Sequence, residues 1–169
     1  MVKILSFDPS GNSNHDAGKE GWGTTGMALE DNGEIYLHEI KASNYSTTEE
    51  YWHKHVKSVE HYKPDYVVIE GYKLYNHKGM GASTQANSTL MTSQLIGAIR
   101  MTCHVRGIPL IIQYASDVKT RWSDKVLQNL GVLDGNKFDG KVTNNHKRDA
   151  LRHLMHFKHY KLDKLEGMT

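Results

Sequence analysis

The sequence predicts an α/β domain built on a mixed five-stranded sheet, its first three strands antiparallel, with helices on both faces. Three observations carry this. Ile4-Leu5-Ser6-Phe7-Asp8-Pro9-Ser10-Gly11 is a short apolar run that stops at a carboxylate, with turn residues behind it. Tyr66-Val67-Val68-Ile69-Glu70-Gly71 repeats the design with a β-branched run that ends in Glu and Gly. Between and after them lie stretches of helical period, the longest over residues 84–106, where Leu90, Met91, Leu95, Ile96, Ile99 and Cys103 recur on one face.

Taken in order, residues 11–23 are rich in Gly, Asn and Ser, with Asn12, His15, Asp16 and Lys19, and read as an extended loop or widened hairpin. Residues 24–29 and 34–40 read as the second and third strands, joined by Asp31-Asn32-Gly33, a hairpin turn signal. Ser46-Thr47-Thr48-Glu49-Glu50 opens a helix with hydroxyl caps and acids in its first turn, and Lys63-Pro64 ends it. The Glu70 strand follows, then a polar, aromatic, Gly-containing loop over 72–83. Gly107 stops the long helix, and Pro109-Leu110-Ile111-Ile112-Gln113-Tyr114 is the fifth strand. Ser116 caps a helix carrying Val118, Trp122, Val126 and Leu127 as far as Gly131; residues 133–142 read as a loop. A last helix starts at Thr143 or Asn144 and carries Ala150, Leu151, Leu154, Met155 and Phe157.

At 169 residues the chain has room for one domain, spanning 1–169. A formal charge of +2 does not by itself announce a nucleic-acid binder, but 11 His make that charge sensitive to mild acid. The single Cys103 excludes an internal disulfide and fits a reducing compartment. The start of the chain lacks a signal-peptide pattern, and no apolar run approaches the ~20 residues of a membrane helix. The expectation is a cytoplasmic protein without a membrane partner.

Two buried strands that each deliver an acid at the C-terminal end suggest a site at the carboxyl edge of one sheet. The last helix adds His146 and Asp149, three apart and so on one helix face. Each taken alone is an ordinary turn or cap residue; together, acids from two strand ends and a helix start form the spread a two-metal site needs. Hard Mg²⁺ asks for oxygen ligands, and several carboxylates must converge to offset two divalent charges.

In this set the chain resembles the RuvC Holliday-junction resolvases of the RNase H-like superfamily. The motifs are Ile4-Leu5-Ser6-Phe7-Asp8-Pro9, Thr25-Gly26, Val67-Val68-Ile69-Glu70-Gly71-Tyr72, Tyr114-Ala115-Ser116-Asp117-Val118-Lys119 and His146-Lys147-Arg148-Asp149-Ala150-Leu151, in the same order along essentially the whole chain. The loop after Glu70 makes it most similar to the bacteriophage branch, whose members work in a bacterial host. The resemblance implies metal-dependent hydrolysis of DNA at four-way junctions by paired symmetric cuts, leaving 5′-phosphate and 3′-hydroxyl ends. Asp8, Glu70 and Asp149 fall on its acidic positions and His146 on the fourth, which is acid or His. Two ions about 3.5–4 Å apart are implied, Mg²⁺ with Mn²⁺ also supporting activity. Imidazole suits Mn²⁺ better than Mg²⁺, so His146 reads as a ligand, with protonation of the leaving group as its other role. Residues 12–23 are longer than the family's tight turn.

DNA contact is expected from Tyr72, Lys73, Tyr75, Lys78, Lys119, Arg121, Lys147 and Arg148, which surround the site in sequence. Cations neutralise phosphates and an exposed Tyr can stack on an unpaired base. Trp122 reads as core. The helix over 84–106 is the candidate surface of a homodimer, because cuts at two-fold-related points call for a two-fold enzyme. The other readings are a less selective flap or branched-DNA endonuclease, an RNase H on hybrids, a junction-binding protein without activity, and a nucleotide-binding relative of actin or sugar kinases. The intact acidic set disfavours the third and the length of the chain the fourth.

Overall fold

The computed structural model describes residues 1–15, 21–72 and 82–168, with the side chains of 82–89 excepted. Five strands form one sheet in the order β3-β2-β1-β4-β5: β1 Ile4–Asp8, β2 Thr24–Asp31, β3 Glu34–Lys41, β4 Tyr66–Glu70 and β5 Leu110–Gln113. β1 to β3 are an antiparallel meander, whereas β4 and β5 join β1 in parallel. This is the predicted RNase H-like sheet. The β2–β3 turn puts Asn32 and Gly33 at φ 54° and 83°, the backbone that an Asn-Gly hairpin signals.

Helices cover both faces. α1 (Thr48–Tyr62) and α2 (Ala82–Arg106) pack on one side, over Leu5, Phe7, Val67 and Ile69, with Tyr51, Val59, Leu95 and Ile99 closing the core. α5 (Asn145–Phe157) packs on the other, over Ile4, Ala28 and Val68, through Ala150, Leu154 and Phe157. Strand side chains alternate faces, so residues 4, 6 and 8 of β1 and 66, 68 and 70 of β4 look toward α5.

Two expectations need correction. The single helix read from Ser116 to Gly131 is two, α3 (Ala115–Val118) and α4 (Asp124–Asn129). The Ser123 hydroxyl accepts from Val126 N and restarts the helix, while the Trp122 carbonyl accepts from Arg152 Nε at 2.8 Å instead of from a downstream amide. The stretch 133–142 is not wholly loop: β6 (Lys137–Phe138) and β7 (Lys141–Val142) make a small hairpin around Asp139-Gly140, both at positive φ. Beyond α5 the chain continues as a π-helical turn, Lys158–Leu162, and a short α6, Asp163–Glu166.

Candidate active site

Asp8 and Glu70 end adjacent parallel strands whose register pairs Phe7 with Ile69, so the two carboxylates emerge side by side toward α5. Their side chains are 16% and 19% exposed. α5 begins directly above them. Asn144 caps it by accepting from Lys147 N at 2.9 Å, and its Nδ2 donates to Glu39 Oε2 at 2.5 Å, which anchors the first turn to β3. The turn rides on Gly26 of β2, opposite Asp8; a Cβ there would sit 1.8 Å from the His146 carbonyl oxygen, so only glycine lets the helix approach. His146 Nδ1 consequently stands 3.4 Å from Asp8 Oδ2.

The electrostatics are those of crowded carboxylates. Burial raises the pKa of Asp8, the hydrogen bond from His146 opposes this, and the charges of Glu70 and Asp149 push it further up. The hydrogen bond with Asp8 raises the pKa of His146 against the effect of burial, helped by the charges of Asp8, Asp149 and Glu39. Asp149 is held by Lys119, whose Nζ is 2.9 Å away, and by Arg152, which also pairs with Asp124. Burial works against the charge of Lys119, yet its bond to Asp149 and the fields of Glu70 and Asp8 raise its pKa overall.

The loop behind Asp8 is pinned from three sides. Ser10 N donates to Thr25 Oγ1 at 3.0 Å, Tyr51 OH to the Ser10 carbonyl at 2.6 Å, Trp52 Nε1 to the Gly11 carbonyl at 3.0 Å, and Gly11 N to Thr92 Oγ1 at 3.1 Å. His55 lies beneath, Nδ1 2.9 Å from the Tyr51 carbonyl and Nε2 2.8 Å from Thr25 Oγ1. A carbonyl only accepts, so Nδ1 carries the proton and Nε2 takes the Thr25 hydroxyl. Burial pushes the His55 pKa down to about 4, which keeps the ring neutral at pH 7.

Sequence reasoning missed His153 and Arg152. His153 is fully buried, with Nε2 2.8 Å from Glu70 Oε2, while its Nδ1 has no partner among the described residues. Its signal was spacing: four residues after Asp149 and seven after His146 it falls on the same helix face.

Of the expected DNA contacts, Lys119 stands in the site and Tyr72, 45% exposed, follows Glu70 and Gly71 directly. Arg121 lies elsewhere, its guanidinium 5.1 Å from the centre of the Tyr160 ring. Lys147 borders a hollow with His38 and Lys141 on the β3 side. Arg148 is engaged internally, donating to Thr143 O and Oγ1 at 3.1 and 3.0 Å and to Asn145 Oδ1 at 2.5 Å. Lys73, Tyr75 and Lys78 lie outside the described residues, as do Asp16 and Lys19. Trp122 is core, 6% exposed.

Among the described residues no three His, Cys, Asp or Glu side chains close on one point as a ready ligand cage. The donor chemistry still fits a hard divalent cation. Burial lifts Asp8 and the charges of Glu70 and Asp149 add to it, and the cations that offset these carboxylates, Lys119 and His146 in its charged form, occupy the role such an ion would take.

No family model and no curated protein sequence matches the chain. Its fold matches solved structures of RuvC. The Thermus thermophilus RuvC structure aligns over 98% of this chain and 97% of that one with a TM-score of 0.61 at 13% identity. T. thermophilus RuvC in complex with a Holliday junction substrate aligns over 90% of each chain with a TM-score of 0.59 at 14% identity. The fold is therefore RuvC-like.

Proposed function

We propose that the chain is a metal-dependent, structure-selective DNA endonuclease that resolves four-way junctions by paired symmetric cuts, leaving 5′-phosphate and 3′-hydroxyl ends. The observation that carries this is the convergence of Asp8 and Glu70, from neighbouring parallel strands, on His146 in the first turn of α5 and Asp149 just beyond it. Asp8, Glu70 and Asp149, with His146 beside them, would hold two divalent ions, Mg²⁺ or Mn²⁺. When bound, such ions supply a water that ionises near neutral pH and offset charge on the leaving oxygen.

The chain's own residues supply the rest. His153 orients Glu70, and the Thr25, Tyr51, Trp52 and Thr92 bonds hold the backbone behind Asp8. Lys119 balances Asp149 and adds positive charge where a scissile phosphate would lie. Tyr72 and Lys147 flank the same edge as DNA contacts, whereas Arg148 braces the start of α5. A homodimer through α2 would set two such sites at two-fold-related positions on branched DNA. The bacteriophage-branch reading rests on the loop after Glu70, most of which lies outside the described residues. The same reading places its action on DNA in the cytoplasm; no described helix is long and apolar enough to cross a membrane.

The test is cleavage of a synthetic immobile four-way junction in Mg²⁺ by wild type and Glu70→Gln. Paired symmetric nicks by wild type, with binding but a rate lower by about 10²–10³-fold in the variant, support both the reaction and the site. Equal cutting of flaps or linear duplex makes it a general branched-DNA nuclease, and preference for RNA–DNA hybrids makes it an RNase H. Equal rates for the two proteins would refute the site.

A further inference from the structure

Beside the carboxylate cluster, along the open edge of β5, runs a second cleft of about 890 Å³, bounded by α3, the π-helical turn and α6. That volume is within the range of small-molecule sites, about 300–1,000 Å³. Its apolar part is Ile111, Ile112 and Leu165, and its charged rim is Arg121, Lys161 and Lys164 against the single acid Asp117. His156 stands on the same wall, and its pKa is lowered by burial and then by the charges of Lys161 and Arg121.

Two features go beyond a solvated basic surface. Gln113 is 2% exposed and lines the cleft; its Nε2 donates to the His153 carbonyl at 3.2 Å, but its Oε1 has no partner among the described residues. A buried acceptor left in this state costs free energy, and a ligand bearing N–H groups would relieve it once the amide, whose Oε1 is closed off from solvent, turns toward the cleft. Secondly, Tyr160 and Lys161 reach the cleft from the π turn, a rare backbone form that concentrates at functional sites. Arg121 is already held over the Tyr160 ring at 5.1 Å, so its guanidinium is oriented before any ligand arrives.

Positive charge for phosphate, an apolar floor for a flat ring and a buried acceptor for an amino or imino group together describe a nucleotide. We propose that this cleft is a nucleotide-binding site, distinct from the carboxylate cluster, that takes an unpaired nucleotide through Arg121, Lys161 and Lys164 on its phosphate and Gln113 on its base. Strand addition by a peptide fits less well. The carbonyls of Pro109 and Gln113 point to β4, so only Leu110 and Ile112 of β5 turn their backbone groups outward. The nucleotide is either part of a DNA strand or free in solution.

The test uses the full chain in EDTA, so its outcome does not depend on whether Asp8 and Glu70 cut DNA. Binding of a fluorescently labelled single-stranded oligodeoxynucleotide is followed by anisotropy, with dAMP, inorganic phosphate and a poly-Glu peptide as competitors. The double variant Arg121→Ala/Lys164→Ala, both exposed positions, should weaken oligonucleotide binding about tenfold or more, and Tyr160→Ala should weaken it as well. Displacement by dAMP at lower concentration than by phosphate supports a site for free nucleotide; oligonucleotide binding that is sensitive to the variants but resistant to dAMP supports a strand of DNA. Unchanged binding in the double variant overturns the proposal. So does phosphate competing as well as dAMP, which marks an adventitious ion only, and so does poly-Glu competing as well as DNA, which marks a site for acidic protein segments.

Discussion

His153 Nε2 stands 2.8 Å from Glu70 Oε2 and joins the carboxylate at the end of β4 to a fully buried imidazole on α5. A carboxylate accepts, so Nε2 carries the proton, and the bond selects one orientation of a side chain that is otherwise free to turn into solvent. The link also crosses between the sheet and the helix that carries His146 and Asp149, and with the contact of His146 to Asp8 it aligns the two halves of the candidate site.

The first prediction follows from that bond. In a double-mutant cycle with His153→Asn and Glu70→Gln, chemical unfolding in EDTA should return a coupling of about 1.5–3 kcal/mol, the range for hydrogen bonds to charged groups. Mn²⁺ affinity, read by electron paramagnetic resonance, should fall in His153→Asn while far-UV circular dichroism stays that of wild type. Additive stabilities together with unchanged Mn²⁺ binding would leave His153 as a core residue only.

Acid should act first through His55. Its pKa falls from 6.5 unfolded to about 4 folded, because burial strips the charged ring of water and outweighs the backbone hydrogen bonds that would favour the charge. Between those values the unfolded chain binds more protons, so the contribution is fully present above pH 6.5 and is lost as pH falls toward 4. The shift corresponds to about 3 kcal/mol. His55→Gln, which can still accept from Thr25, should move the midpoint of acid unfolding, followed by circular dichroism, to lower pH. A midpoint unchanged from wild type would assign acid lability to other groups.

How much of this was visible in the chain itself divides by the range of the interaction. The sheet, its meander and the two acid-bearing strand ends were legible because strand period, β-branched runs and Asn32-Gly33 are local signals. Asp8 and Glu70 could be picked out as candidates because each ends a strand, and His146 and Asp149 because they are three apart on one face of α5. The break between α3 and α4 was not, because Arg152, 30 residues on, takes the Trp122 carbonyl. His153 was hidden for a related reason: its spacing fits an ordinary core position, and only the fold shows that Glu70 is its partner. Arg148 read as a DNA contact from charge alone, while its hydrogen bonds to Thr143 and Asn145 depend on how the hairpin before α5 folds back.

His146 gives a pH test of opposite sign. Its pKa is raised from 6.5 by the bond with Asp8 and by the charges of Asp8, Asp149 and Glu39, so the folded chain holds this proton more tightly than the unfolded one. The stabilisation is fully present below pH 6.5 and is lost as pH rises through the raised value. Titration of the His146 ring by NMR in EDTA should show the upward shift in wild type and its reduction in Asp8→Asn. Addition of Mg²⁺ should pull the same titration down, since a divalent ion among the carboxylates repels the imidazolium. A His146 titration unmoved by Asp8→Asn would break the link between the two residues.

The last prediction concerns α2, which is apolar on two sides. Leu95, Ile99 and Cys103 are buried against the sheet, while Leu90, Met101 and Val105 are 56%, 62% and 72% exposed. Spacings of eleven and four residues place those three in one stripe along the helix, away from the core and on the face where the proposed two-fold partner would pack. Exposed apolar stripes of this kind are uncommon on monomers unless a partner covers them. Met101→Glu puts a charge at the middle of the stripe without touching the sheet, so the fold should survive and association should not. Sedimentation velocity should show a dimer for wild type and a monomer for the variant, and junction cleavage should change from paired cuts to single nicks. A wild-type chain that sediments as a monomer at concentrations where it still makes paired cuts would exclude this surface, whereas loss of both dimer and paired cuts in Met101→Glu, with single-strand nicking retained, would show that α2 sets the spacing of two independent active sites.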